Sequence, residues 1–523
     1  TGYEPFKEDY ERVMFQWIYE TTPEGQIFKS GDDTITELNS TDTIMNYKSY
    51  TSSMLLAADD IEDPYMASVF KYFAQQGNPD YAGYTAYYYA TTPTNILMFN
   101  NPKIEAKDYT NLPLSKYFGE PFGKMVARTG WGSGVDTDTV MAYMYVGEER
   151  VTNHGHFDHG SYQLYYKGML LPDLSHYRRA DTTHYYHHER ATVAHNALLI
   201  KDPNEVIGIK QAQLVNPGNQ RYVSDMQQNL STYLKNKDTY IYGDVIGREF
   251  GPDTFEPEYT YIAGDITSAY SSKVDDVRRY MMFMPTDNEE PAVMMVFDKI
   301  NAVNPSFKKK MLLQAYEEPT VEGNVITMAR STAGFTGAAT NQILYPENPE
   351  IVKVGGIGKT WFVEGINFVP NAVEEDSTEH GWGRIEISPS KESNLDYYLN
   401  AIYVHDTKNN TELKKAQLIE NESFMGARLL NKVVMFPKAS ERTSEDVKFS
   451  IPGEGKCDIA VTGLTQGTWQ VTANGEDGGE YYSTADGGMI YFKTDAGEVS
   501  LKHISAEVKD TFTHNENAFN LET

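Results

Sequence analysis

The stretch Val151 to Ile200, VTNHGHFDHGSYQLYYKGMLLPDLSHYRRADTTHYYHHERATVAHNALLI, decides how the rest of the chain is read. It holds eight of the chain's twelve histidines (His154, His156, His159, His176, His184, His187, His188, His195), interleaved with carboxylates and tyrosines. Metal ligation and proton transfer are therefore both chemically available in it. In an extended backbone residues i and i+2 face one way, so His154 and His156 can share a site with Asp158, while Asn153, Gly155 and Phe157 point away. A turn at Lys167-Gly168 folds SYQLYYKGMLLPD into a hairpin and returns Asp173, seventeen residues after His156, to the histidines. His195 lies in a further strand-like run, VAHNALLI. Two histidines and one carboxylate with an open position suit zinc or a similar divalent ion, and nitrogen and oxygen ligands also admit manganese or calcium. The plainer readings stand beside this one. His176, His184, His187 and His188 serve equally well as solvated or satisfied side chains, Asp158 and His159 as hydrogen-bond orienters of ligands, and Tyr162, Tyr165 and Tyr166 as sheet packing.

Upstream of this stretch the pattern is helical. Glu8 to Tyr19 carries an apolar stripe stopped by Pro23-Glu24-Gly25, and helical spacing recurs over Ser49 to Ala58 and Tyr65 to Gln75. Two or three helices of a larger array are too few to close a bundle. From about Met125 the period becomes two. Thr139 to Val146 alternates, and strand-like runs recur at Ala292–Phe297, Met311–Ala315, Gln342–Leu344, Thr360–Phe368, Tyr397–Val404, Lys432–Phe436, Ile459–Thr462, Thr468–Thr472, Met489–Lys493 and Val499–Ile504, separated by Gly/Pro/Asn/Asp turns. The expected fold is α+β, mostly β: helices over 1–124, a large antiparallel β-sandwich over 125–450, a small β unit over 451–505 and a polar tail over 506–523.

Composition narrows the function. A chain of 523 residues with 40% apolar and 23% charged residues is globular, and its net charge of -29 argues against nucleic acid and anionic membrane surfaces, both held by cations that neutralise phosphate. No apolar run reaches the length needed to span a bilayer. The single cysteine, Cys457, rules out an internal disulfide framework without fixing the compartment. The 38 tyrosines fit a protein that stacks on sugar rings and fit a tyrosine-rich sheet as well.

Two families are matched by these residues. His154-Gly-His156-Phe-Asp158-His159 matches the HxHxDH pattern of metallo-β-lactamase-fold zinc hydrolases, but a strand and hairpin follow it where that fold has a helix. A longer set resembles the heparinase II/III-like polysaccharide lyases, which include heparinase II and several alginate lyases. It comprises Arg128-Thr-Gly-Trp131, NHGHFD, SYQLYYKG, LLPD and AHNALLIKDPNE, then LLQAYEEP (Leu312 to Pro319) and GGIGKTWFVEG (Gly355 to Gly365), in the family's order. The resemblance implies that residues 1–124 are the C-terminal part of an (α/α) toroid packed on the sandwich, with the site in the cleft between. It further implies that His156, Asp173 and His195 hold one structural divalent metal, that Asn153 and His154 face the substrate, and that Tyr177 lines the cleft. The implied reaction is β-elimination on a uronic-acid polysaccharide.

The chain departs from the family in one respect. No tyrosine between Thr1 and Lys124 matches the family's catalytic tyrosine, so an upstream segment or chain is expected to complete the toroid and supply it. The expected partner is an acidic polysaccharide, alginate ahead of heparin or heparan sulfate. A sulfated polymer calls for clustered cations, and only Arg150, Lys167, Arg178, Arg179 and Arg190 stand near the site. The expected location is secreted, periplasmic or at the cell surface, of bacterial type. A carbohydrate-binding protein whose metal is only structural is the reading from a different class.

Overall fold

The computed structural model describes residues 12, 15, 16, 18–32, 64, 65, 103–105, 107–150, 154–177, 179–209, 212–223, 230–371, 373, 381–409 and 412–508. Among these, four sheets carry the architecture. The first is an antiparallel meander of Ser115–Tyr117, Lys124–Arg128, Val140–Tyr145, Tyr162–Tyr166 and Met169–Leu171. An eight-stranded sheet forms the middle of the molecule, with Leu395–Asp406, Ala292–Ala302, Val274–Pro285 and Tyr259–Asp265 at its centre. A four-stranded sheet runs Glu350–Gly355, Gly383–Ser388, Lys308–Ala315, Leu198–Lys201. The fourth has seven strands, from Gln417–Glu420 to Met489–Ser505.

The eight-stranded sheet is the middle layer because both faces of its central strands are apolar. In Val274–Pro285, Val277, Met281 and Phe283 enter the core shared with the first and four-stranded sheets (Met125, Val140, Leu164, Met311, Leu313). The alternate residues Tyr280, Met282 and Met284 enter a second core with Met425, Val434, Phe436 and Ala460 of the seven-stranded sheet. Period-two alternation therefore assigns each residue to a layer, and neither set can face water. Phe297 and Phe436 stack across the second seam at 5.4 Å and 5°, a contact of about 0.5–1.5 kcal/mol beyond area burial. The outer face of the first sheet is covered by Phe15, Ile18, Tyr19 and Phe28.

Several sequence expectations are changed by this architecture. Lys432–Met435 pairs in parallel with Asp458–Val461, so the assembly is not wholly antiparallel. Met489–Ser505 is one strand instead of two, and Thr360 to Phe368 contributes only the short hairpin Phe362–Val363 and Ile366–Asn367. The sheet that holds residues 451–505 also takes in strands from Gln417 onward. Of the predicted N-terminal helices, residues 12, 15, 16 and 18–20 are helical, as are 64 and 65; the rest of those segments, and the tail beyond 508, lie outside the described residues. Among the described residues no helix is long and apolar enough to cross a membrane.

One buried ion pair ties the middle layer to the segment read first. Arg279 is 1% and Asp298 0% exposed, and they pair at 2.6 Å (Nε to Oδ1) and 3.0 Å (Nη2 to Oδ2). Arg279 Nη1 also donates to the carbonyls of Gly160 and, at 2.8 Å, Asn196. The side chain of Asn196 donates to the carbonyls of Tyr162 (2.8 Å) and Pro172 (2.9 Å) and accepts from Gln314 N at 2.7 Å. Four strands (Tyr162–Tyr166, Val274–Pro285, Ala292–Ala302 and Lys308–Ala315) are thereby tied to Pro172 and Asn196, the neighbours of Asp173 and His195.

Candidate functional site

Each group of the site leaves the end of a strand or a tight turn. The hairpin Tyr162–Tyr166/Met169–Leu171 closes through Lys167 and Gly168, with φ of 46° and 125°, and Asp173 follows its second strand. His195 immediately follows a 3₁₀ turn at Thr192–Ala194 and precedes the strand Leu198–Lys201. His156 lies in the loop before the hairpin, whose shape is held by Arg150 donating to the Gly155 carbonyl at 2.8 Å (Nη2) and 3.2 Å (Nε).

The structure brings His156, Asp173 and His195 together, all buried, with one potential ligand atom from each within 4.8 Å of the others. His195 Nδ1 lies 2.8 Å from Asp173 Oδ2, and the two imidazole rings are 5.3 Å apart. Burial opposes charge on Asp173, but the neighbouring His195 outweighs it and holds the carboxyl well below the usual range. Burial likewise lowers His195, yet Asp173 prevails and raises it. His156 is lowered, chiefly by burial, so its ring is neutral, the form a metal binds. His156 Nδ1 and His195 Nε2 are buried with no hydrogen-bond partner among the described residues. Unsatisfied buried imidazole nitrogens beside an ionised carboxylate are what a nitrogen- and oxygen-binding divalent cation would satisfy, so the donor set fits a metal.

His154 is placed differently. Its side chain is 65% exposed, and Nδ1 lies 2.8 Å from Asp32 Oδ2. The same carboxylate takes His156 Nε2 at 3.0 Å through Oδ1. The carboxylate that His154 and His156 share is thus Asp32, where the sequence pattern pointed to Asp158. Burial would raise Asp32, but the hydrogen bonds from His156 and His154 win and hold it below the usual carboxylate range. Asp32 arrives on an N-terminal strap. Lys29 exchanges hydrogen bonds with the Gln163 side chain and sends Nζ to the Ser175 carbonyl at 2.7 Å. Asp32 N donates to the His154 carbonyl at 3.0 Å, and a Cβ on Gly31 (φ 77°) would stand 2.4 Å from that carbonyl oxygen, so the approach requires glycine.

Tyr177 is half-buried, its ring edge-on to Tyr185 at 6.1 Å, and Tyr185 Oη donates to Asp32 Oδ2 at 3.3 Å. Tyr185 opens a π-helical turn, Tyr185–Glu189, a local form common at functional sites. That turn delivers Glu189, fully buried and 4.0 Å from His156 Nε2, its carboxyl pushed up to about 8 by burial and by Asp32. Asn153 and Arg178 lie outside the described residues.

Other histidines have structural roles. His184 reaches the carbonyls of Phe368 and His176, His187 stacks on Phe368 at 4.3 Å, and His188 stacks on His184. His159 lies on the Gly147 carbonyl at 2.7 Å and stacks on Tyr242, with burial pushing it down to about 4. It does not join the cluster, and a strand follows it, so the metallo-β-lactamase reading of HxHxDH fails. Of the cations near the site, Lys167 pairs with Asp138 and Asp406 and Arg150 and Arg190 lie over Phe157, while Arg179 is exposed. Asp32 and Glu189 were not singled out in the sequence. Asp32 sits in an ordinary SGDDT turn far upstream, and Glu189 reads as a solvated charge beside Arg190.

Comparison with known proteins adds the following. Residues 418–503 match the family described as the heparinase II C-terminal domain. No curated protein matches. Solved structures similar to this chain include a heparinase III gene product with methylated lysines (14% identity, TM-score 0.47, covering 80% of this chain and 49% of that one). The same product without that modification gives 13% identity and a TM-score of 0.48, covering 81% of this chain and 52% of that one. A crystal structure of heparinase III gives 13% and 0.45, covering 83% and 54%. The chain spans about half the length of these structures. The resemblance to the heparinase II/III-like family thus has support from the C-terminal sheet, a part of the chain separate from the motifs around the histidines.

Proposed function

We propose that this heparinase II/III-like chain is the metal-bearing part of a polysaccharide lyase that cleaves a uronic-acid polymer by β-elimination. The observation that carries the reading is the division of labour between two histidines two residues apart: His154 is 65% exposed, while His156 is buried against Asp173 and His195. The exposed one suits contact with a substrate, and the buried one suits an ion.

In the reaction, a base takes the C5 proton, the freed electron pair forms the C4=C5 double bond, and the C4–O4 bond breaks with protonation of the departing oxygen. The C5 proton becomes acidic enough only when the uronate carboxylate is neutralised. His154, held at Nδ1 by Asp32, and Asn153 beside it are the groups for that task. Tyr177, on the other side of Tyr185, is the proton carrier within this chain, and an upstream segment supplies the further tyrosine that the family uses. His156, Asp173 and His195 would hold one divalent metal, zinc first, with manganese or calcium admitted by the same donors. An ion held there would brace the loop that carries His154.

Alginate is placed ahead of heparin and heparan sulfate. Lys167, Arg150 and Arg190 are committed to carboxylates, carbonyls and aromatic faces, which leaves few cations to grip sulfate. A protein that digests such a polymer works outside the cytoplasm, in the periplasm, at the surface or secreted. The test is to offer the full-length protein alginate, polymannuronate, polyguluronate, hyaluronan and heparan sulfate side by side and follow near-ultraviolet absorbance of the 4,5-unsaturated product. Product from alginate is expected. Product from a sulfated glycosaminoglycan alone overturns the substrate ranking, and polymer retention with no product from any of them makes the chain a binding protein.

A further inference from the structure

Glu189 is the most conspicuous buried group that the proposed reaction does not use. It is 0% exposed, and neither carboxyl oxygen has a hydrogen-bond partner among the described residues. A buried carboxyl left in that condition is costly whether or not it carries a proton, because a neutral acid also needs partners for its hydroxyl and carbonyl. The nearest polar atom recorded for it is His156 Nε2, at 4.0 Å from Oε1. That nitrogen also lies 3.0 Å from Asp32 Oδ1. Around one divalent ion with bonds of about 2.0–2.6 Å, ligand atoms stand about 3–4.5 Å apart, and both separations lie in that interval. The three potential ligand atoms of Asp32, His156 and Glu189 lie within 4.8 Å of one another.

We propose that Asp32, His156 and Glu189 form a second divalent-cation position beside the His156–Asp173–His195 cluster, taking His156 through Nε2 and leaving Nδ1 for the first; with both filled, His156 releases its N–H proton to solvent and bridges the two ions as an imidazolate. The two differ in donor chemistry. The first offers two imidazoles and one carboxylate, a set suited to zinc; the second offers two carboxylates and one imidazole, a harder set that favours manganese, magnesium or calcium. They also differ in what they join. The first connects three segments of the sheet body, whereas the second connects the π-helical turn at Tyr185–Glu189 to the N-terminal strap that carries Asp32. An ion there would hold the strap, and with it the carboxylate that engages His154, against the body. The inference rests on the metal reading above only for the identity of the neighbouring position.

The test uses the purified full chain stripped of metal with a chelator and titrated separately with Mn²⁺ and Zn²⁺ by calorimetry. Loss of one carboxylate ligand should weaken Mn²⁺ binding about tenfold or more in Glu189→Gln, with Zn²⁺ affinity unchanged. Asp173→Asn should do the reverse. Asp32→Asn should match Glu189→Gln, so the prediction survives as a test even if the buried glutamate cannot be replaced without unfolding. Mn²⁺ binding at wild-type strength in Glu189→Gln or in Asp32→Asn overturns the second position, and so does an equal loss of both ions in all three variants, which would mean a single site. If the wild type takes Mn²⁺ with the expected dependence but takes no Zn²⁺, the first position fails and the second stands.

Discussion

Two buried polar clusters meet at the Val151–Ile200 segment, and they are built on opposite terms. Around Arg279, the guanidinium meets both Asp298 oxygens and the carbonyls of Gly160 and Asn196, while Asn196 itself has partners for both its amide and its oxygen. Around His156, two imidazole nitrogens and both oxygens of Glu189 have none among the described residues. A fully satisfied buried network serves as scaffold, because low dielectric strengthens bonds that are complete. The same low dielectric penalises incomplete ones, so a fold retains an unsatisfied cluster where something else completes it. The first cluster is therefore read as what holds the site in place, and the second as what binds.

The contrast is sharpest under truncation. Arg279→Met leaves Asp298 buried and unpaired, and should cost about 3–5 kcal/mol in denaturant unfolding, the range for breaking a buried pair from one side. A loss under about 1 kcal/mol, well below that range, would show the pair to be dispensable and remove the distinction between the clusters. In the binding cluster the effect should fall on chemistry. In the complete enzyme, His154→Ala should lower the lyase rate on the order of 10²-fold or more, with bound metal and melting behaviour retained. Wild-type activity in that variant would mean that the roles of His154 and His156 have been exchanged.

A smaller effect is expected in the pH dependence of the metal-free protein. Glu189 is raised from 4.5 to about 8 in the folded state, so between those values the native chain binds a proton that the unfolded chain has released. Stability conferred by the protonated form is present below the unfolded value and is lost as pH rises through this window, at up to about 1.4 kcal/mol per pH unit. Glu189→Gln should flatten that slope. Equal slopes in the two proteins across pH 5–8 would assign the titration elsewhere.

How much of this was legible in sequence follows from the range of the interactions. The hairpin was legible because a Lys-Gly turn between two apolar runs is local, and the turn places Asp173 by counting. The long strand runs were legible wherever alternation was clear, as at Ala292–Phe297. Strands such as Asp244–Gly251 and Glu476–Ser483 were missed because their glycines and charges read as turns, and they are formed by pairing with Tyr259–Asp265 and Gly467–Ala473. In the site, Asp32 was invisible because it is brought to His154 from 122 residues away by a strap whose contacts are largely backbone. Glu189 was invisible because nothing local distinguishes a glutamate that a π-helical turn buries from one that faces water.

Metal analysis of three proteins prepared identically, wild type, His154→Ala and His156→Ala, addresses the division of labour most directly. The account predicts a divalent ion in the wild type and in His154→Ala, and its loss from His156→Ala. Unchanged metal in His156→Ala, or metal lost from His154→Ala, would contradict it.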